Sequence, residues 1–332
     1  MKALVTGGGG FLGGAIVRQL LERGADVRSF SRGEHPWLKK LGVEQVRGDL
    51  CDLGALRRAA AGREIVFHAA AMPGIWGPYA EYHRVNVTGT GRVLEVCRES
   101  GVGKLVFTGS PSVTFDGSDQ DGVDESAPYP ARWLAHYPHT KALAEQLVLA
   151  ANGAALATVS LRPHLVWGPR DNHLVPRLIA RAKAGKLRLI RAPGKRVDSV
   201  YIENAAEAHL LAAEKLAPGA TCAGRAYFIT NGEPLPMGEL INGILRAAGL
   251  PPVTKTLSPR TAYLAGCVME GWYGLLSRRS EPLMTRFLAR QLGTSHWFKL
   301  DRARVDLGYE PRVSIARGLE ELARYLRESG RA

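Results

Sequence analysis

Two hydrophobic periods alternate along the first half of the chain. Residues 1–6 form a short apolar strand, after which Leu12, Ile16 and Leu20, with Val17 and Leu21 alongside, recur at helical spacing. Residues 25–32 read as a second strand, 36–40 as a short helix and 44–47 as a third strand running into Gly48-Asp49. The alternation continues with a helix over 53–61, a strand over 64–68, a long helix over 79–100 and a strand over 104–108. A second long helix at 137–152 then feeds a strand at 157–161. Each strand is mostly Val, Ile, Leu and Phe, which predicts a parallel sheet covered by helices on both faces. Residues 1–165 are therefore expected to fold as a doubly wound α/β domain.

Beyond Arg162-Pro163 the pattern loosens. Residues 199–201 and 226–230 look like strands returning to the sheet, so the segment near 197–232 is assigned to the first domain. Residues 166–196 and 233–332 are expected to build a smaller, mainly helical substrate-binding domain over the carboxyl ends of the strands. Within it, 261–277 is apolar except for Glu270 and lies between Arg260 and Arg278-Arg279. A membrane-spanning helix needs about 20 apolar residues. This segment is shorter and holds Gly266, Gly271 and Gly274, so it is expected to wall a hydrophobic substrate site, with peripheral membrane contact as its other use.

Composition changes this picture little: 45% apolar and 23% charged residues are ordinary for a globular chain of 332 residues. Cys51, Cys97, Cys222 and Cys267 lie far apart, which points away from a disulfide framework or structural zinc and towards a reducing compartment. The chain opens directly on a strand, so no targeting peptide is expected and the location is read as cytoplasmic. The net charge of +13 is uneven. Arg170, Arg177, Arg181, Lys183, Lys186, Arg188, Arg191, Lys195 and Arg196 face only Asp171 in one stretch. A solvated basic lid is the simpler reading, and attraction of an anionic ligand the sharper one. No nucleic-acid-binding module accompanies the charge.

The candidate chemistry begins at Gly7-x-x-Gly10-x-x-Gly13, between the first strand and the first helix. A turn this tight lets a pyrophosphate approach bare backbone at a helix N-terminus. Tyr137-x-x-x-Lys141 places a phenol and an amine on one face of a helix, a turn apart. A free phenol has a pKa near 10, and a neighbouring ammonium is expected to lower it towards the range useful for general acid-base work. The preceding strand ends in Thr108-Gly109-Ser110-Pro111-Ser112, and a serine there points into the crevice where such sheets bind ligands. NAD is usually met at the end of the second strand by a carboxylate, and a 2′-phosphate by a cation. This strand ends in Ser31-Arg32, with Asp26 at its wrong end, which predicts NADP(H). His136 and His139 lack a third ligand, so no metal site is expected. His68 is expected to pack, and Trp76, Trp167 and Trp272 either to line a pocket or to fill the core.

Thr6-Gly7-x-x-Gly10-Phe11-Leu12-Gly13, Gly48-Asp49, Asn86-Val87-Thr88-Gly89-Thr90, Ser110, Tyr137-x-x-x-Lys141, Arg162-Pro163 and Tyr201-Ile202-Glu203-Asn204 together resemble the extended short-chain dehydrogenase/reductases, whose nucleotide domain is a Rossmann fold. Arg286-Phe287, His296-Trp297-Phe298 and Leu307-Gly308-Tyr309-x-Pro311 are similar to the 3β-hydroxysteroid dehydrogenase branch. Gly74-Ile75-Trp76-Gly77 and 123–130 look most like bacterial reductases of 2-alkyl-3-oxoalkanoic acids in olefin biosynthesis, a part of lipid metabolism. The resemblance implies Tyr137 as acid-base and Lys141 as the group that tunes it and holds the nicotinamide ribose. It implies Ser110 as the carbonyl donor, with Ser112 as its substitute. Around the cofactor it implies Gly7, Gly10, Phe11, Leu12, Ser31, Arg32, Asp49, Leu50, Ala69 and Lys141, with Asp49 accepting from the adenine amino group. Arg92, where relatives often have asparagine, and Gly109, which interrupts a usual serine pair, are departures. The implied reaction is NADPH-driven reduction of a 3-keto group on a bulky hydrophobic keto acid. A 3β-hydroxysteroid or sterol-carboxylate dehydrogenase, a nucleotide-sugar epimerase and a non-catalytic redox-sensing binder are the alternatives. A homodimer, with enzymes of the same pathway as partners, is the expected assembly.

Overall fold

Strand and helix alternate from the second residue of the computed structural model, which describes residues 1–276 and 278–330. The first half runs β1 (Lys2–Thr6), α1 (Phe11–Glu22), β2 (Asp26–Ser31), α2 (Pro36–Lys40), β3 (Glu44–Arg47), α3 (Leu53–Ala60) and β4 (Ile65–His68). A short α4 (Tyr79–Tyr82) passes through π-helical His83–Thr88 into α5 (Gly89–Glu99). Then come β5 (Lys104–Thr108), β6 (Gln120–Val123), α6 (His136–Ala150) and β7 (Ala157–Pro163).

The second half contains β8 (Val166–Trp167), α7 (Leu174–Lys183), β9 (Leu189–Ile190), β10 (Val200–Tyr201), α8 (Ile202–Lys215) and β11 (Ala226–Ile229). It closes with α9 (Met237–Ala247), β12 (Thr256–Leu257), α10 (Pro259–Leu275), α11 (Arg286–Gly293), β13 (His296–Phe298) and α12 (Ile315–Glu328).

Seven strands form one parallel sheet in the order β3-β2-β1-β4-β5-β7-β11. Because side chains alternate along a strand, β1 serves both faces. Ala3 and Val5 pack with Ile16, Val17 and Leu20 of α1, whereas Leu4 packs with Ala55 and Leu56 of α3 and Val93 of α5. Apolar cores thus cover the sheet on both sides, as the continuous apolar strands require.

One expected strand pairs elsewhere. Val200–Tyr201 does not rejoin the sheet but pairs with Val166–Trp167 in a two-stranded ribbon, while Ala226–Ile229 does return, against β7. The Trp167 indole is fully buried and donates to Ser199 Oγ at 3.0 Å, which anchors the ribbon where the chain leaves the sheet.

A buried ion pair fixes α6 against β7. Arg162 donates to Glu145 at 2.7 Å through Nη2 and at 3.0 Å through Nε, and Ser160 and Tyr129 add donors to the same carboxylate at 2.7 and 2.8 Å. Burial pushes the Glu145 carboxyl up, but the Arg162 guanidinium and the two hydroxyls outweigh it and hold it below the usual range. Gly109 is explained here: a Cβ on it would lie 2.9 Å from Glu145 Oε2 and 2.7 Å from Ser160 Oγ. A serine in its place would push into the pair.

Breaking such a pair from one side leaves an uncompensated buried charge. Arg162→Leu is therefore expected to destabilise the protein by about 3–5 kcal/mol, read as a drop in urea midpoint at unchanged m-value. A loss below about 1 kcal/mol, the value of an exposed pair, would contradict this account.

Candidate active site

The glycine turn is built for close approach. Gly7 has a left-handed φ of 72°, its N–H donates to Phe30 O at 2.8 Å, and its carbonyl accepts from Gly10 N at 2.8 Å. A Cβ on Gly13 would stand 2.2 Å from that carbonyl, so no side chain fits there. Gly10, exposed, is the N-cap of α1; it offers no side-chain cap, and the first turn carries no acid. Free N–H groups and a positive helix end thus face outward together. This cradle fits a dinucleotide pyrophosphate.

A chain of buried hydrogen bonds runs from this turn to α6, and the donors assign themselves. Ala70 N donates to Thr6 Oγ1 (3.2 Å), so the Thr6 hydroxyl is free to donate to His68 Nδ1 (2.7 Å). Thr90 spends its hydroxyl hydrogen on Asn86 O (2.6 Å), so His68 Nε2 must donate to Thr90 Oγ1 (3.0 Å). Asn86 accepts from Met72 N (2.7 Å) and donates to Thr140 Oγ1 (3.1 Å), which donates in turn to His136 O (2.9 Å). Burial, then the charge of Lys141, pulls His68 down to about 3, so its ring stays neutral and this tautomer holds. His68 is packed, as expected, but it packs as a polar link.

Thr140 sits between Tyr137 and Lys141, and the same face of α6 continues to Glu145 one turn further on. Ser110 is buried where β5 ends. Its hydroxyl lies against the Tyr137 phenol, and Ser112 backs it with a hydroxyl contact of 2.8 Å. Lys141 Nζ donates to Thr108 O at 2.7 Å and rests 4.0 Å from the centre of the Phe107 ring. Burial pulls Lys141 down to about 7, opposed by Glu145. The His209 ring buttresses Thr108: Nδ1 donates to Ala205 O at 2.7 Å, leaving Nε2 to accept from Thr108 Oγ1 at 2.9 Å.

This arrangement corrects one expectation. Burial raises the Tyr137 phenol, and the group that lowers it is the Ser110 hydroxyl, not the Lys141 amine. The physical reason is that Lys141 points its amine at the strand-end carbonyl of Thr108 and that burial disfavours its charged form. A protonated phenol beside an alcohol can still hydrogen-bond one oxygen atom from two directions.

The remaining candidates separate clearly. Phe11 and Leu12 open α1, half-buried, while Leu50 and Ala69 line the sheet edge around the turn. Ser31 Oγ donates to Gly33 O at 2.8 Å, and Arg32 is exposed with no hydrogen-bond or ion-pair partner among the described residues. Asp49 accepts from Cys51 N at 2.9 Å and from Arg84 at 2.8 Å, and the Arg84 contact is the main reason its pKa is lowered. Arg92 pairs with Glu95 on the helix surface. His139 stacks on Trp133 and His136 meets Tyr79 edge-on, so both histidines are used in aromatic packing. Sequence reasoning missed His35, whose ring covers Gly9 so closely that a Cβ there would be 2.0 Å from it. It also missed Glu145, although its spacing of four from Lys141 was a usable signal.

An apolar cavity of about 410 Å³ lies among the carboxyl-terminal helices, lined by Leu178, Leu240, Ile241, Ile244, Met269 and Leu288 among others. Tyr82 stands between it and the start of α6: its hydroxyl lies 3.2 Å from where a Cβ on cavity-lining Gly74 would be, and its ring centre 6.4 Å from that of His136, next to Tyr137. Arg177, Arg181, Lys186 and Arg188 line the same cavity, so part of the basic stretch has a definite place. Arg177 is paired with Glu281 at 2.7 Å, whereas half-buried Arg181 has no ion-pair partner among the described residues. Two buried histidines, His164 and His296, also reach the cavity, and burial keeps both rings neutral.

Comparisons with known proteins identify the family. The sequence pattern of the 3-beta hydroxysteroid dehydrogenase/isomerase family matches residues 4–259. The chain is 54% identical over 325 residues to the 2-alkyl-3-oxoalkanoate reductase of Stenotrophomonas maltophilia, covering 97% of this chain and 98% of that protein. It is 47% identical to the protein of the same name from Shewanella oneidensis, covering 96% of this chain and 85% of that one. Among solved structures, MoeE5 in complex with UDP-glucose and NAD superposes with a TM-score of 0.77 at 27% identity, covering 99% of each chain. With its parallel seven-stranded sheet, glycine turn and Ser110, Tyr137 and Lys141 gathered at one end, the chain belongs to the 3-beta hydroxysteroid dehydrogenase/isomerase family of extended short-chain dehydrogenases/reductases.

Proposed function

We propose that the protein is an NADPH-dependent reductase of the 3-keto group of a 2-alkyl-3-oxoalkanoic acid or a close analogue. The observation that carries this reading is the meeting of Ser110 and Tyr137, one residue on from His136 and so near Tyr82, with an apolar cavity past Tyr82 whose lining includes an unpaired arginine. The relatives named for such a reduction support it.

When bound, the nicotinamide supplies the hydride. Gly7, Gly10 and Gly13 leave room for the pyrophosphate at the start of α1, and Asp49 accepts from the adenine amino group. Arg32, unpaired and exposed, is offered to the 2′-phosphate, with the His35 ring beside the turn. Lys141, whose amine now donates to Thr108 O, would hold the nicotinamide ribose hydroxyls. Ser110 and Tyr137 hold the substrate oxygen, and the phenol, kept protonated by burial, delivers its proton to the forming alkoxide. The alkyl chains fill the cavity, and Arg181 takes the carboxylate at its edge.

Tyr137→Phe is expected to lower kcat by about 10²–10⁴, roughly 3–5 kcal/mol of barrier, measured by NADPH absorbance; unchanged turnover would refute the assignment. Arg32→Ala should raise the KM for NADPH while leaving that for NADH in place. Equal effects on both cofactors, or none, would point to NAD. Arg181→Ala should raise the KM for the keto acid by about tenfold, the weight of one charged hydrogen bond, and leave the methyl ester unaffected. An equal rise for acid and ester would remove Arg181 from the carboxylate.

A further inference from the structure

The helix α10 was expected to be a buried wall, and the structure makes it a two-sided one. Ala262, Ala265 and Met269 face the cavity, and Gly266 packs against the backbone of Thr285 and Arg286. On the opposite side Leu264, Val268, Trp272 and Leu275 are 64, 72, 57 and 80% exposed. Their spacing of four, four and three keeps them in one stripe along the helix. Leu276 and Leu283 extend it past the helix end, at 44 and 52% exposed, and Leu283 also lines the cavity. Ser277, the last residue of the apolar segment expected from sequence, lies outside the described residues. Single exposed apolar residues are normal on a protein surface, but a contiguous stripe of this kind marks an interaction site.

The charges around the stripe indicate what it meets. Arg260 heads it four residues before Leu264, and Arg278 and Arg279 follow it, all exposed. Between α10 and α11 a groove of about 390 Å³ opens beside the stripe, lined by Tyr263, Leu264, Ala289 and Gly293 with Arg260 and Arg290. The Arg290 guanidinium lies 4.9 Å from the Tyr263 ring centre, and neither arginine of the groove meets a carboxylate among the described residues. No helix among the described residues is long and apolar enough to cross a membrane.

We propose that α10 docks the protein on an anionic phospholipid surface. Leu264, Val268, Trp272 and Leu275 enter the acyl boundary, Trp272 at headgroup depth, and Arg260 and Arg290 take lipid phosphates. A second copy of this chain would need acidic groups opposite these arginines, and the stripe carries none of its own. The geometry also gives docking a consequence. Only the width of α10 separates the lipid-facing side from Ala265 and Met269 in the cavity wall, and exposed Leu283 also lines that cavity, so an apolar substrate dissolved in the bilayer reaches it past Leu283 without crossing water.

The test is co-sedimentation with vesicles of equal parts phosphatidylcholine and phosphatidylglycerol, compared with phosphatidylcholine alone. The expected result is binding to the mixed vesicles that weakens with salt, and quenching of tryptophan emission by brominated lipid that is lost in Trp272→Phe. The double variant Val268→Asp/Leu275→Asp, with an unchanged circular dichroism spectrum, should bind at least about tenfold more weakly. Arg260→Gln/Arg290→Gln should lose the preference for phosphatidylglycerol. Three outcomes overturn the proposal. The first is a wild type that stays in the supernatant at low salt, and the second a Val268→Asp/Leu275→Asp variant that binds as tightly as wild type. The third is dissociation of a dimer by that variant in sedimentation velocity without any vesicle binding, which assigns the stripe to a second copy.

Discussion

The site depends on one buried strand of hydrogen bonds, from Thr6 through His68, Thr90 and Asn86 to Thr140. It joins a turn at the start of the chain to a helix more than a hundred residues later, and the hydroxyl hydrogens of Thr6 and Thr90 each have one destination within it, while that of Thr140 goes to the α6 carbonyls of His136 or Tyr137. Such a chain is stable only when complete, because each unpaired member would be a buried polar group without water. The π-helical turn at His83–Thr88 belongs to the same constraint. It is an irregular helical segment that presents Asn86 to Met72 on one side and to Thr140 on the other. The distance between the glycine turn and the start of α6 is therefore set by polar geometry rather than by apolar packing, which tolerates slippage more readily.

Against that frame α6 works as a column of unlike environments. Tyr137 is half-buried with its phenol raised by burial and lowered by Ser110, Lys141 is drawn down to about 7 by burial, and Glu145 is held ionised by Arg162. A carboxylate one turn beyond the amine keeps Lys141 from losing its proton altogether, and the arginine keeps the carboxylate from taking it. Burial of a charged pair is costly unless every donor and acceptor is satisfied. Ser160 and Tyr129 complete that satisfaction, and the missing side chain at Gly109 leaves the space for it.

The carboxyl-terminal part is tied together by short pairings outside the main sheet: β10 with β8, β12 with β9, and β13 with β6. Each brings an irregular segment to the rim of the cavity without extending the main sheet, so the cavity can be shaped by loops and helices while the nucleotide half stays regular. Functional segments of α/β folds are commonly carried this way, on connections held by a rigid scaffold.

The sequence by itself determined the nucleotide half. Apolar strands buried on both faces and amphipathic helices have periods that local residues enforce, and the glycine spacing at 7, 10 and 13 follows from a steric demand only glycine meets. Ser110, Tyr137 and Lys141 were legible for the same reason: their relation is one strand end and one helical turn. What tertiary structure decided was every property that depends on what lies opposite. Residues 199–201 have strand character, but which strand they join is a matter of position in space, and they joined Val166–Trp167. Lys141 looked like the group that lowers the phenol until burial and the Thr108 carbonyl set its charge. In α10, similar apolar residues occur all round the helix, so periodicity could not tell the side facing the cavity from the side facing out; only the neighbouring α11 and the cavity behind it made that distinction.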